Sequence, residues 1–510
     1  MYSVVSTAVL HGIEARGVSV ETDVSEGMPV FEMVGYLGSE VREAKERVRT
    51  ALKNCGYHLP VKRITVNILP ADLKKSGSGF DLPVAVSLLG AMGEIKDTKS
   101  DEVFVAGELG LNGDIYPING ILPMVICAVK HKKTICVVPS QNVTEAALIR
   151  DATIIGVSHI SQVMAFFNDG EIPPLSEETG SVEPESEVSD FKNINGQQMA
   201  KRAAEIAASG MHNLLLVGPP GGGKTMIAKA LPSILPQLTQ DEQIELSKIY
   251  SVCGLLNSGR GLMKNRPFRS PHHTISVAGL TGGGGNVIRP GEITLATYGV
   301  LFLDELPEFS KGTLEILRQL LEEKVIRISR AKGDYCFPAD FLLVAAMNPC
   351  KCGYFPNFNK CHCDKISVKN YIGKVSQPLL DRIDLCVQTA EVRFSDMVKN
   401  DANESSADIR QRVEAVHEIQ NRRFTDEPYH YNSQIPPTDL MKYCRFDEEG
   451  MAFLEKNFET ANLTARTYHR LLRISRTVAD MEGSETVKLS HLREAFLFRS
   501  MDKKYWEKYL

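Results

Sequence analysis

Apolar positions follow two rhythms along this chain, and the places where the rhythm changes divide it. Val18 and Val20, and residues 29–34, read as strands. Val41, Ala44, Val48, Ala51 and Leu52 then fall on one face of a helix. Residues 63–69 alternate as a strand, and residues 82–92 form a second, apolar helix. Together these predict one α/β domain over residues 1–170. From 171 to 190 the rhythm stops. Pro173, Pro174 and Pro184 stand among serines and the acids Glu177, Glu178, Glu183, Glu185, Glu187 and Asp190. That is the composition of a solvated tether.

The pattern resumes with an amphipathic segment at 200–209 and a short buried strand at 214–217. Further strand-like apolar runs stand at 300–303 and 341–347. Between them, residues 324–335 alternate on both sides of Lys332-Gly333-Asp334, which predicts a β-hairpin turning on that tripeptide. Residues 191–395 are expected to form the second folded unit, and 396–510 a helical third. In that last part, Ser405 and Asp408 form a capping box ahead of Ile409, Val413 and Val416. One helix opens at Thr464-Ala465-Arg466 and runs through Arg476, and a last one spans 488–498. The 503–510 tail is polar and aromatic, and no internal repeat is found.

Composition narrows this picture only a little. At 510 residues the chain exceeds one core, so about two to four domains are expected. Hydrophobic content of 43% and charged content of 24% are those of ordinary globular protein. The net charge of −5 means that any nucleic-acid surface must be local. The N-terminus has neither the basic start nor the long apolar run of an export signal, and the 341–347 run is too short to span a bilayer. Eleven cysteines in such a chain are expected as reduced thiols, with a close cluster holding metal rather than a disulfide. The expected location is the cytoplasm, with no membrane partner.

The candidate chemistry begins at Gly218-Pro219-Pro220-Gly221-Gly222-Gly223-Lys224-Thr225, directly after the 214–217 strand and ahead of a helix-compatible run. This is Walker A spacing in its proper setting. Backbone N–H groups of the loop surround a β-phosphate, and a helix N-terminus adds partial positive charge. Lys224 reaches the β- and γ-phosphates of ATP, and Thr225 places its hydroxyl on Mg²⁺. The second signal is Val300-Leu301-Phe302-Leu303-Asp304-Glu305, a strand ending in two acids. Asp304 is expected to orient the Mg²⁺ and Glu305 to polarise the attacking water.

Two cysteine pairs, Cys350-Lys351-Cys352 and Cys361-His362-Cys363, supply four thiolates at a spacing that suits a tetrahedral, structural Zn²⁺, although His362 could replace one of them. Arg327, Arg330 and Lys332 make the hairpin basic, which suits either a solvated sheet edge or phosphate contacts to DNA. The other seven cysteines are read as packing residues.

Several of these features resemble known families. The 103–123 stretch, with Gly107-Glu108-Leu109-Gly110 and Gly120-Ile121-Leu122-Pro123, resembles the ribosomal protein S5 domain 2-like fold of Lon proteases. In Lon a Ser–Lys dyad acts. The serine falls near Ser78-Gly79 here and the lysine near Met124, so the resemblance implies a Lon-like domain without peptidase activity. Lys75 and Ser76 are read as surface residues. Asn348, ending the third run, resembles the sensor 1 residue of AAA+ ATPases, which positions the water. Arg382, in Pro378-Leu379-Leu380-Asp381-Arg382-Ile383-Asp384, resembles the arginine finger of the magnesium chelatase and minichromosome maintenance ATPases, acting on a neighbouring subunit. A structural pair with Asp381 or Asp384 is the alternative. Arg466 matches the sensor 2 arginine, reaching from the lid to the γ-phosphate, with Arg470 and Arg473 as competitors for that role. Residues 266–273 and 282–285, lying between Lys224 and Asp304, resemble the helix 2 insertion of that clade, and the hairpin resembles its pore hairpin.

Taken over nearly the whole chain, this order of parts resembles the ComM/YifB family of magnesium-chelatase-like AAA+ ATPases. The fold so implied is α/β: an S5 domain 2-like domain (1–170), a linker (171–190), an AAA+ P-loop parallel-sheet core (191–395) and a helical lid (396–510). The resemblance implies a homohexameric ATPase and a DNA helicase driving branch migration of single-stranded or branched DNA during integration of transforming DNA. Three rivals are a chelatase subunit, a protein unfoldase and an ATP-dependent protease. No D-x-S-x-S motif follows the lid, the hairpin tip is basic rather than aromatic, and Met124 stands where the protease lysine belongs.

Overall fold

The computed structural model describes residues 1–510 except 100, 175–188, 257–260, 285–287, 331–332, 392–402, 461–463 and 499–510. Most of the 171–190 tether, Gly285, Lys332 and the C-terminal tail thus lie outside the described residues.

The N-terminal part is a seven-stranded mixed sheet. Its principal strands are β1 (Tyr2–His11), β2 (Glu14–Ser25), β3 (Val30–Val34), β4 (Arg63–Leu69), β5 (Val103–Val105), β6 (Ile135–Pro139) and β7 (Thr153–Val157), in the order β3-β4-β2-β1-β5-β6-β7. Helices α1 (Ser39–Asn54), α2 (Asp81–Met92) and α3 (Ile121–Lys130) pack on it. All five apolar residues expected on one face of α1 are buried. Met124 is buried among Ala8, Phe104 and Val125, a packing residue with no titratable group to offer. Lys75 corrects the sequence reading. It is fully buried rather than on the surface, and its ammonium donates to the Pro70 carbonyl. Its backbone is captured as well, since the Gly38 N–H donates to the Lys75 carbonyl at 2.7 Å and the Lys75 N–H to Tyr36 at 2.9 Å. Ser76 is half-buried.

The second folded unit begins with helix α4 (Gln198–Gly210) and strand β8 (Leu214–Val217), followed by α5 (Lys224–Ala230) and α6 (Gln240–Val252). Next come β9 (Phe268–Arg269), β10 (Val300–Leu303), α7 (Lys311–Glu323), the hairpin β11 (Val325–Arg330) and β12 (Gly333–Pro338), then β13 (Leu342–Met347) and β14 (Leu385–Gln388). Five of these strands form one parallel sheet in the order β9-β10-β13-β8-β14. Alternation splits each strand between two cores. Leu214, Leu216, Phe302 and Val344 face α4 and the lid, while Leu215, Val217, Leu303 and Ala345 face α6 and α7. Burial on both faces is why these strands are uniformly apolar in sequence. Phe268 and Arg269, assigned from sequence to an insertion, instead form the edge strand of this sheet. Arg269 is held in a bidentate pair with Glu292, and Arg266 caps the Pro236 and Tyr298 carbonyls at 2.6 Å each. Both are structural arginines.

The lid comprises α8 (Ser406–Arg423), α9 (Glu448–Thr460), α10 (Ala465–Met481) and α11 (Leu489–Leu497). The Ser405–Asp408 capping box opens α8 as expected. Among the described residues no helix is long and apolar enough to cross a membrane.

Candidate nucleotide site and its surroundings

The loop from Gly218 to Gly223 joins β8 to α5 and is pressed onto Thr389, just beyond β14. A Cβ on Gly218 would lie 2.1 Å from the Thr389 hydroxyl, so only glycine fits there. Gly223, the residue before the helix, has φ +74°, in the left-handed region open to glycine. With Pro220, Gly221, Gly222, Lys224, Thr225 and Met226 it lines a cleft of about 370 Å³, completed by Asp304, Glu305, Met347 and Asn348. The Walker A residues from Pro220 onward, the Walker B acids and the sensor 1 residue singled out from the sequence therefore meet in one place, and Gly218 and Pro219 reach it through their carbonyls on Lys224.

The polar geometry suits a magnesium nucleotide. The Thr225 hydroxyl donates to Asp304 Oδ2 at 3.1 Å, so one hydroxyl and one carboxylate already converge where a hard cation binds. Lys224 Nζ donates to the Gly218 carbonyl (2.7 Å), the Pro219 carbonyl (2.9 Å) and Asn348 Oδ1 (3.1 Å). Burial lowers the Lys224 pKa, and the charge of Asp304 opposes that shift. Three oxygen acceptors at the ammonium make a place where phosphate oxygens would be welcomed in their stead.

Glu305 sits at φ +53°, a left-handed conformation that costs a non-glycine residue roughly 1 kcal/mol or more. Its N–H donates to Asp304 Oδ1 at 2.9 Å, and its side chain stays exposed. His273 Nδ1 lies 3.5 Å from Glu305 Oε2, and the His273 ring packs on His272 and edge-on to Phe309. His273 was not picked out by sequence reasoning. Its signal was an adjacent histidine pair, His272-His273, in a chain with only 12 histidines.

Arg382, expected to act on a neighbouring subunit, and Arg466, expected at the γ-phosphate, both lie away from the Walker cleft of their own chain. Arg382 and Arg466 line a separate cleft of about 660 Å³, which shares no lining residue with the Walker cleft. Arg382 donates to the Pro378 carbonyl at 2.6 Å and pairs with Glu322 of α7 at 2.5 Å, rather than with Asp381 or Asp384. Arg466 is largely exposed and 4.0 Å from Asp381. Its competitors are committed to the fold. Arg470 is buried beside Asp384 at 3.7 Å, and Arg473 donates to the Ile435 carbonyl at 2.8 Å.

The four cysteines form one cluster. The Sγ atoms of Cys350, Cys352, Cys361 and Cys363 all lie within 4.8 Å of one another; Cys350 is 3.3 Å from Cys352 and 3.8 Å from Cys361. A tetrahedron with Zn–S bonds of about 2.3 Å has sulfur edges of about 3.8 Å, so the donor set fits zinc. His362 is not part of it. Burial works against ionising Cys352, yet the Tyr354 N–H and the neighbouring thiols bring it down to about 6. The cluster also touches the nucleotide loop: a Cβ on Gly353 would lie 2.5 Å from Pro220.

On the hairpin, Arg327 and Arg330 are exposed. Arg327 is paired with Cys336 and Arg330 with Gly333, so Gly333 and Asp334, expected in the turn, are instead the first two residues of β12. The pleat puts Arg327 and Arg330 on opposite faces.

Comparison with known proteins agrees with this architecture. Family models described as magnesium chelatase, subunit ChlI, match residues 190–397; subunit ChlI of Mg-chelatase, residues 20–142; and magnesium chelatase, subunit ChlI C-terminal, residues 403–499. Competence protein ComM of Haemophilus influenzae is 40% identical over 499 residues, covering 96% of each chain. The chain belongs to the ComM/YifB magnesium-chelatase-like family. YifB of Escherichia coli is 37% identical over 503 residues, covering 98% of this chain and 97% of its own. A Lon protease of Geobacter metallireducens is 21% identical over 167 residues, 30% of this chain and 20% of its own. Membership of the ComM/YifB family supports reading the Walker cleft as that of an ATPase using ATP and Mg²⁺.

Proposed function

We propose that this protein is an ATP-hydrolysing motor that works as a homohexamer on DNA and drives branch migration during recombination, including integration of transforming DNA. The observation that carries the reading is the separation of Arg382 and Arg466 from the Walker cleft of their own chain. Arg466 is exposed and Arg382 lines the same cleft, so the pair is of use to a γ-phosphate only when a second copy brings its Walker cleft there and Arg382 exchanges Glu322 for it. Repeated around a closed ring, that contact makes every site depend on its neighbour. ATP and Mg²⁺ bind at Gly218–Thr225 and Asp304. Glu305 polarises water, Asn348 positions it, and Arg382 and Arg466 of the adjacent copy stabilise the charge spreading over the γ-oxygens.

DNA is the favoured substrate because the hairpin immediately before the sensor 1 strand carries Arg327 and Arg330, and because the Haemophilus influenzae relative is named as a competence protein. Lys332, between the two hairpin strands, is assigned the same role. Zn²⁺ at Cys350, Cys352, Cys361 and Cys363 is structural, since four thiolates leave no position for water.

The test is ATP turnover with and without single-stranded DNA and a four-way junction, at low and moderate salt, with Lys224→Ala as control. Salt-sensitive stimulation by DNA supports the reading. A rate indifferent to every DNA overturns it in favour of a motor that remodels a protein partner.

A further inference from the structure

The turn between β1 and β2 leaves its own domain and enters the motor. Ile13 is buried, and it belongs to the apolar core formed by Leu317, Leu320, Ile326 and Phe337 rather than to the core of its own sheet. The His11 ring lies 4.7 Å from the Tyr335 ring, tilted by 34°. Gly12, at φ +68°, has the Cys336 carbonyl and the Phe337 ring 3.7 Å from where a Cβ would stand. A Cβ on Gly333 would meet His11 at 3.5 Å. His11 and Gly12 thus follow β12 from Gly333 to Phe337, and Ile13 enters the core beneath it.

These contacts select one face of the hairpin. Cross-strand partners share a face, and the pairs are Ile326 with Phe337, Ile328 with Tyr335 and Arg330 with Gly333. That is the face under the His11-Gly12-Ile13 turn. Arg327, Ser329, Asp334 and Cys336 stand on the other face and are exposed.

A second set of bonds anchors the same domain to α6. The Gly120 N–H donates to the Ser251 carbonyl at 3.0 Å, the Ser251 hydroxyl donates to Glu145, and Lys248 pairs with Glu14. Glu14 directly follows the turn, so one short segment spans both contacts. Helix α6 lies beyond the Walker A helix in the chain and packs in the same core as the hairpin.

We propose that the N-terminal domain is the positioning element of the basic hairpin, with His11, Gly12 and Ile13 as the residues that hold it. They fix the hairpin against the motor and tie its movement to α6, leaving the Arg327 face free for a phosphate backbone. This rests on the reading that the hairpin handles DNA.

The experiment uses the full-length protein with Ile13→Asp and His11→Ala, their conservative counterparts Ile13→Val and His11→Phe, and Arg327→Ala. Three quantities are read: amide hydrogen exchange across residues 325–338, ATP turnover with and without single-stranded DNA, and the midpoint of thermal unfolding. The disruptive turn variants should speed exchange in the hairpin roughly tenfold while the rest of the motor keeps its protection. They should also lose DNA stimulation while retaining turnover without DNA, and the conservative variants should restore both. His11→Ala, at a half-buried position, serves if Ile13→Asp does not fold. Unchanged hairpin protection in His11→Ala, or equal damage from the disruptive and conservative variants, overturns the proposal. Undiminished DNA stimulation in Arg327→Ala overturns the DNA reading instead, and leaves the exchange result to decide positioning alone.

Discussion

Asn348 Oδ1 accepts a hydrogen bond from Lys224 Nζ at 3.1 Å, so the end of the third sheet strand and the lysine of the phosphate loop are joined in one contact. The two residues are 124 positions apart, and the register of β8 against β13 brings them together, with Val217 opposite Met347. Their roles separate kinetically. Lys224→Ala removes a charge that binds phosphate in ground and transition states alike, and should abolish nucleotide binding. Asn348→Ala removes only a positioning dipole, and should lower kcat by about 10²-fold with KM for ATP nearly unchanged. Nucleotide affinity measured by fluorescence titration beside turnover checks the split; equal loss of affinity in Asn348→Ala would contradict it.

Glu305→Gln keeps the shape of the side chain and removes its basicity. Turnover should fall by about 10²- to 10⁴-fold, the range for loss of a general base, while ATP binding persists and ATP-bound oligomers accumulate. His273, 3.5 Å from the carboxylate, is placed to orient it and not to take its role. His273→Ala should therefore cost less, about tenfold in kcat, with ATP affinity intact. Normal turnover in Glu305→Gln would unseat the water-activating role.

Much of this site was legible in the chain because its signals are local. A strand, a glycine-rich loop and a lysine are contiguous, and strands buried on both faces advertise themselves as unbroken apolar runs. The cysteine cluster was legible for the same reason, with four thiols inside 14 residues. What escaped depends on distant parts. Lys75 looks like a surface lysine until the fold closes over it. Phe268 and Arg269 read as an insertion because a two-residue edge strand carries no periodicity. The pairing of Arg382 with Glu322 joins segments 60 residues apart that share no pattern. The opposite facing of Arg327 and Arg330 was available from their odd spacing, and only the register of the hairpin made it plain.

Arg382→Ala should reduce hydrolysis by about 10³-fold or more, the size of effect known for arginine fingers, without weakening ATP binding to the mutated chain. On the proposed action in trans, subunits carrying Arg382→Ala and subunits carrying Lys224→Ala should regain activity when mixed. Arg466→Ala should behave in the same way, whereas Arg470→Ala should lower the unfolding temperature, since it leaves buried Asp384 short of a partner. Activity that never recovers on mixing would place both arginines at their own nucleotide.

Anaerobically purified protein should carry about one zinc per chain, and Cys361→Ser should lose it. The consequence reaches the nucleotide. Gly353 of the cysteine loop abuts Pro220 of the phosphate loop, and Cys350 is two residues from Asn348. Chelation should therefore lower both the unfolding temperature and the affinity for ATP, and zinc should restore them. Elemental analysis that finds no metal in the intact protein would remove the site.

The lid should loosen in mild acid through His417. Its ring is buried, and Nε2–H donates to the Ala208 carbonyl at 2.9 Å, joining α8 to α4. Burial lowers the His417 pKa to about 4, with the Ala208 carbonyl opposing the shift and Arg266 adding to it. The neutral ring is therefore the one the folded state accepts, while the unfolded chain binds a proton below about 6.5. Between about 6.5 and 4 the unfolded state holds more protons, so stability is full above that window and declines as pH falls through it. At about 1.4 kcal/mol per pH unit, the loss approaches roughly 3 kcal/mol at the acid end. His417→Gln keeps a donor toward Ala208 and cannot titrate. Its unfolding temperature should change less than that of the parent protein between pH 7 and pH 5, and an identical pH slope in the two would show that His417 is not the group responsible.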